Sequence, residues 1–190
     1  APTDAELHRR LVAAAERLAD PALLAAACEA AAAAPGVPPA EAAGVLLRAA
    51  KLRAGPLADP ARAFQDVVAA AERAPGQRAA QAALAEALLG AGRPLEATAA
   101  LARERDLAPA AERPALEGRR ARLLLDRCGD PGAAAEAFAA ARAGRADDHE
   151  LLHGWQEALR RAGRHAEWAT ALAAEQALKP GPVRARALRE

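Results

Sequence analysis

The sequence lacks serine, asparagine, isoleucine, tyrosine and methionine, and only 2% of its 190 residues are aromatic. Because β-branched and aromatic residues favour strands, their scarcity leaves little from which a sheet could be built. The lack of serine excludes a serine nucleophile within these residues. About a third of the chain is alanine, the best helix former, so the composition favours an all-α fold.

The sequence also contains only two cysteines and has almost no net charge. Cys28 and Cys128 lie 100 residues apart, a spacing that provides neither a disulfide framework nor a Cys-x-x-Cys metal site. Both are expected to be buried packing residues. The formal net charge is +1, which gives no general reason to expect a nucleic acid or an anionic membrane as a partner.

No segment of the sequence has the character of a membrane span or a leader. The longest apolar run, around residues 30–34, is too short to cross a bilayer. The amino end has no basic stretch followed by an apolar one, which favours a cytoplasmic location. Since the first residue is not methionine, we expect a processed chain or a fragment of a longer one. The excess of Ala, Arg, Pro and Gly indicates a GC-rich genome and a bacterial source.

Four short segments repeat along the chain at nearly constant spacing. They begin 34, 37 and 34 residues apart, at Pro60, Pro94, Pro131 and His165. A fifth begins at Pro21, and a helix-breaking residue follows most of these starts by about fifteen positions, as at Pro75, Pro109 and Pro180. A fixed period near 34 with a breaker at one phase predicts an array of helical repeats.

Each repeat divides into helix A, a tight turn and helix B. Turn signals such as Asp59-Pro60 and Gly129-Asp130-Pro131 separate the two helices, because Gly ends a helix, Asp caps the next one and Pro suits its first turn. The predicted A helices span about 4–18, 39–54, 77–91, 113–128 and 149–163. The predicted B helices span about 21–34, 60–74, 94–108, 131–145 and 165–179.

The pattern resembles the tetratricopeptide repeat (TPR) family. In the third repeat the family's apolar, small and turn positions match Leu84, Ala85, Leu88, Gly92, Ala97, Leu101 and Pro109. The resemblance implies a right-handed superhelix, or α-solenoid, of about five helix-turn-helix repeats in a single domain, 1–190. The repeats would span about 4–35, 39–75, 77–109, 113–146 and 149–180, with 182–190 as the start of a further helix or a tail.

The resemblance also implies a protein–protein interaction scaffold without cofactor or catalysis. In this family a concave groove is lined by outward positions of the A helices. The matching groove residues here are Arg9, Arg48, Leu52, Glu86, Arg119, Leu123, His153 and Glu157. The basic side chains at one phase favour a peptide or helix partner with acidic groups. The alternative is a solvated face whose charges pair with one another.

One motif suggests a different function. His149-Glu150-Leu151-Leu152-His153 matches a zinc-hydrolase signature, with two histidine ligands at i and i+4 and a glutamate base. The same residues begin an A helix in the repeat, where Leu152 packs in the core, and we favour this interpretation. A zinc-dependent hydrolase and a purely structural spacer in a larger protein remain the two alternatives.

Overall fold

The computed structural model describes the backbone of residues 4–143, 145 and 147–178 and the side chains of 6–143, 145 and 147–175. This part of the chain contains ten α-helices and no strand, as predicted. Each helix begins within one residue of its predicted start. None of the ten is long and apolar enough to cross a membrane. Residues 179–190, with the predicted element at 182–190, and Ala146 lie outside the described residues. The helices are α1 Asp4–Leu18, α2 Pro21–Ala33, α3 Pro39–Ala54, α4 Pro60–Arg73, α5 Arg78–Gly90, α6 Pro94–Leu107, α7 Arg113–Asp126, α8 Pro131–Arg142, α9 His149–Arg161 and α10 His165–Leu178.

A left-handed residue stands at the same place in every turn between an A and a B helix. Two positions before each B helix the backbone φ is positive, at Ala19, Ala58, Gly92, Gly129 and Gly163. The next residue donates its backbone N–H to the preceding helix in four of these turns, for example Arg93 to Leu88 at 2.9 Å. This geometry satisfies the last carbonyls of helix A and reverses the chain.

Aspartate caps start several helices. The Asp20 carboxylate accepts from the backbone N–H of Ala22 at 2.9 Å, and the Asp130 carboxylate accepts from Ala133 at 2.9 Å. Asp59 and Asp148 cap α4 and α9 in the same way. Because the first N–H groups of a helix have no partner within it, these side chains define where the helices begin.

The chain forms two compact units, with the boundary between Arg93 and Pro94. In unit 1, comprising α1–α5, each helix packs on the next and α3 also contacts α5. In unit 2, comprising α6–α10, each helix packs on the next and α7 also contacts α9. Consecutive packed pairs with additional A-to-A contacts are the arrangement that the repeat pattern predicts.

Both interiors are built largely from alanine. Ala42, Ala43, Ala80 and Ala134 are fully buried, and the largest fully buried side chain is Phe138 in unit 2. Phe138 lies so close to α9 that a Cβ added to Gly154 would come within 2.4 Å of its ring. Small residues therefore let the helix backbones approach closely, and the few large ones fill the remaining space.

A buried arginine joins three helices of unit 1. Arg53 of α3 is 5% exposed and contacts the Asp66 carboxylate of α4 at 2.5 Å and the Glu29 carboxylate of α2 at 2.7 Å. Asp66 is buried as well. Because a buried charge is costly without a partner, this network fixes the relative positions of the three helices.

We expect Ala58→Gly to stabilise the protein. An L-residue in the left-handed conformation is strained by about 1–2 kcal/mol, and glycine removes this strain. The greater freedom of glycine in the unfolded chain offsets about 0.4–1 kcal/mol of that gain. Denaturant unfolding should show a net increase of about 0.5–1 kcal/mol for Ala58→Gly and a comparable loss for Gly129→Ala. The control is Ala26→Gly, at an exposed helical position of α2, which should destabilise. Equal effects at positions 26 and 58 would contradict the turn geometry.

Two glycines inside helices should respond to alanine in opposite ways. Gly154→Ala forces a methyl group against the buried Phe138 ring, and overpacking of this kind costs about 1–3 kcal/mol. Gly44 of α3 has no atom within 4 Å of an added Cβ, so Gly44→Ala should stabilise by up to about 1 kcal/mol through helix propensity. Thermal melts of both variants measure the contrast. A neutral Gly154→Ala would mean that α8 and α9 are not in close contact.

Candidate functional site

An open apolar groove of about 780 Å³ lies on helices α3, α4 and α5 of unit 1. Helix α5 forms one wall from small residues, and α3 and α4 supply the larger side chains. The α5 wall consists of Ala79, Ala83, Ala87 and Gly90, with Ala91 directly after the helix, and the larger apolar residues are Leu47, Phe64 and Val67. Its volume lies in the range of sites that hold ligands or partner side chains.

The groove offers few polar groups. Among the described residues that line it, Lys51 alone is ionisable. Arg93 stacks its guanidinium over the Phe64 ring at 5.6 Å, which places a second cation near the groove. The backbone groups of the walls belong to helices and are largely bonded within them. The groove therefore favours an apolar occupant that needs little hydrogen bonding from the protein.

The groove was not predicted from the sequence, although a signal for it exists. Ala79, Ala83, Ala87 and Gly90 follow the spacing i, i+4, i+8 and i+11, which places them on one face of α5. The family positions matched in this helix instead include Leu84 and Leu88, of which Leu88 is buried. A helical face made of alanine gives no distinct signal in a sequence of which about a third is alanine.

The predicted groove residues of unit 1 mostly connect its helices. The Arg9 guanidinium donates to both carboxylate oxygens of Glu41, at 2.7 and 3.2 Å, and this bond holds the pKa of Glu41 below its usual value. Arg48 pairs with Glu16. Leu52 packs against the cluster around Cys28. These contacts tie α1 and α2 to α3, whereas Glu86 is exposed on α5.

In unit 2 the predicted residues have different surroundings. His153 and Glu157 of α9 border two surface hollows of about 420 and 360 Å³. Arg160 and Arg161 donate to the Glu157 carboxylate and lower its pKa to about 2. Arg119 is exposed, but Leu123 is only 9% exposed and belongs to the interior packing rather than to an exposed surface.

Both tryptophans pack against the core of unit 2. Trp155 is partly buried and carries the Arg142 guanidinium over its ring at 4.8 Å. Trp168 is also partly buried against the core, and its edge lines the larger hollow with Leu172. This face of unit 2 is therefore mixed in polarity, unlike the apolar groove of unit 1.

The zinc-hydrolase motif forms the first turns of α9. Leu151 and Leu152 are buried in the core, whereas His149, Glu150 and His153 are exposed. The Glu150 carboxylate faces Arg122 of α7 at 3.4 Å. Across the described residues, no three His, Cys, Asp or Glu side chains come together as a possible metal site. The leucines thus have the packing role that the repeat assigns to them.

Comparisons with known proteins identify the fold through solved structures. No protein-family model matches the sequence, and no curated protein is significantly similar to it. The chain is similar to MamA, with 14% identity over 90% of this chain and 89% of that one and a TM-score of 0.56. It is also similar to MamA from Desulfovibrio magneticus RS-1, with 18% identity, coverage of 93% and 96% and a TM-score of 0.50. The TPR-like kinesin light chain repeats of Podosopora anserina give 18% identity, coverage of 98% and 95% and a TM-score of 0.54.

These similarities extend over nearly the full length of the compared chains and confirm the predicted helical-repeat architecture of tetratricopeptide type. At such low identities they show the fold alone.

We expect Glu150→Gln to leave both the stability and any activity of the protein nearly unchanged. The carboxylate is 86% exposed and its pairing with Arg122 lies at the surface, where an ion pair contributes about 0–1 kcal/mol. Thermal melting and a peptidase assay with added zinc measure the two effects. The matched comparison is Leu152→Ala, which removes a fully buried side chain and should cost about 2–5 kcal/mol. Zinc-dependent proteolysis that is present in the wild type and lost in Glu150→Gln would establish the hydrolase instead.

Proposed function

We propose that this helical-repeat chain of tetratricopeptide type is a protein–protein interaction scaffold that binds a helix of its partner in a groove. The observation that carries the proposal is the apolar groove on α3–α5. Burying apolar surface contributes about 25 cal/mol per Å², so an open groove of this size is a favourable place for a partner's apolar side chains.

A helix suits the groove better than an extended peptide. The backbone N–H and C=O groups of an extended segment need new partners when they leave water, and an unpaired buried group is costly. The lining side chains are almost all apolar, and the helical walls use their own backbone groups internally. A helix satisfies its backbone within itself and presents only side chains, so it enters this groove without that cost.

The α5 wall, which consists of small residues, is a second reason to expect a helix. Ala83 and Ala87 lie one helical turn apart on the α5 wall, and their small side chains leave shallow holes there. A partner helix therefore approaches α5 closely and places larger apolar residues into these holes, as ridges fit grooves between packed helices. The partner is expected to carry such residues at spacings of three and four.

The predicted acidic partner is a further part of the proposal and concerns unit 2. Arg119 and His153 have the phase predicted for the groove, and their exposed side chains are the basic groups that an acidic segment would contact. Binding that relies on them should weaken with salt, because exposed charges are screened.

The two alternatives predict different behaviour of the groove. A structural spacer has no need of it, so substitutions in the groove would change no interaction. A hydrolase would depend on His149, Glu150 and His153 of α9, in the other unit. The apolar groove is the feature that favours a scaffold over both alternatives.

Two neighbouring alanines of α5 provide a matched test. Ala83 lines the groove, whereas Ala82 does not. Ala82 lies 34 residues after Arg48 and so has the same repeat phase as that predicted concave-face residue. Helix-forming peptides selected against the wild-type protein from a displayed library serve as probes, and fluorescence anisotropy gives their affinities. We expect Ala83→Glu to weaken binding by at least about tenfold, because it buries a charge, and Ala82→Glu to leave the affinity unchanged. Circular dichroism should show both variants folded.

The reverse result, with Ala82→Glu weakening binding and Ala83→Glu having no effect, would assign the interaction to the outward positions of the A helices. Selected peptides that bind without a helical signal would contradict the helical occupant.

A further inference from the structure

Helix α1 carries an exposed row of leucines. Leu7 is 49% exposed, Leu11 44% and Leu18 68%. With Ala14, which is also exposed, they follow the spacing i, i+4, i+7 and i+11 and therefore share one face of the helix. Ala15, on a different face, is 1% exposed and packs into unit 1. We call Leu7, Leu11, Ala14 and Leu18 the leucine row.

The leucine row stands out against the rest of the surface. Of the six exposed large hydrophobic residues in the described part of the chain, four lie on α1 and α2, namely the three leucines of the row and Leu23. Isolated exposed leucines are normal, but several on one helical face indicate a surface that binds another protein.

We propose that the groove on α3–α5 takes helix α1 of a second copy of this chain, so that copies associate head to tail. This inference rests on the proposed function and names the occupant of the same groove.

The two surfaces match in length and in spacing. Eleven residue steps separate Leu7 from Leu18 in the leucine row, and eleven separate Ala79 from Gly90 in the α5 wall. At about 1.5 Å per residue each is about 17 Å long. The row presents large side chains at i, i+4 and i+11, and the wall presents Ala or Gly at i, i+4, i+8 and i+11. Large side chains on one helix and small ones on the other are the combination that packs closely.

Charges beside the two surfaces also complement each other. Arg17 is exposed next to Leu18 on α1. Glu86 is exposed on α5 and lies one turn from Gly90 at the edge of the groove. An arginine beside the row and a glutamate beside the wall favour this pairing over one between two leucine rows, which would bring Arg17 residues of like charge towards each other.

The contacts of α1 make the association intermolecular. Within its own chain α1 packs on α2, and its side chains pair with α3 through Arg9–Glu41 and Glu16–Arg48. These contacts hold α1 away from the groove of the same chain. The leucine row and the groove are different surfaces of the chain. Each copy therefore binds one neighbour through its row and another through its groove. Such an interface continues to further copies unless the assembly closes into a ring.

Analytical ultracentrifugation over a wide concentration range tests this interface with the protein itself. The wild-type mass should rise with concentration beyond that of a dimer. Leu11→Glu disables the row and Ala83→Glu disables the groove, so each variant alone should remain a monomer. Mixed one to one, the two variants retain one intact row and one intact groove between them, and they should form a pair that does not grow. Leu95→Glu, which replaces a leucine of unit 2 that is 68% exposed, is the control and should associate like the wild type.

Circular dichroism checks that Leu11→Glu is folded, and Arg17→Glu is a milder second variant that should weaken association. A wild type that stays monomeric at the highest concentration overturns the inference. It leaves the proposed function standing if Ala83→Glu still loses the selected helical peptides. An Ala83→Glu variant that associates as the wild type does would also overturn it, because the groove would then not be the receiving surface.

Discussion

Close approach between helices through alanine and glycine is the interaction on which the rest of this structure depends. The interior of each unit contains many side chains that are a single methyl group, such as Ala42 and Ala80 in unit 1 and Ala134 in unit 2. With so little between them, the helix backbones can approach each other closely. The few large residues then have fixed places, as Phe138 has against Gly154. The left-handed turns and aspartate caps serve this arrangement by returning the chain at the same point in every repeat.

The same small residues also create the apolar groove. On α5 one face contributes Ala80 and Ala85 to the interior, and another face presents Ala79, Ala83 and Ala87 to the groove. A helix with small residues on more than one face packs closely on any side that is covered and leaves a wide groove on a side that is not. Fold and proposed function therefore share one cause, because small residues both bring the helices together and leave the groove open.

The helices were predicted well because their signals are local. Prolines, aspartates and glycines at fixed offsets determine where a helix starts and stops, and Pro60 or Asp130 acts through its own neighbours alone. The surroundings of the predicted site residues could not be derived from the sequence, because burial and ion pairs depend on residues distant in sequence. Nothing near Arg9 in the sequence indicates that Glu41, 32 residues later, binds it. Leu123 follows the same apolar pattern whether it faces the core or a groove, and only the packed structure places it inside. The apolar groove was missed because alanine fits both a covered and an open helix face.

An interior of methyl groups also affects how the protein responds to temperature. The heat-capacity increase on unfolding grows with the apolar surface that becomes exposed, and an alanine exposes far less than a leucine. A domain rich in buried alanine therefore has a small heat-capacity change for its length. Its free energy of unfolding then varies little with temperature around the maximum, which gives a flat stability curve. Alanine also has no rotamers to lose on folding, so this interior forms with little loss of side-chain entropy. Cold and heat should both weaken this protein gradually.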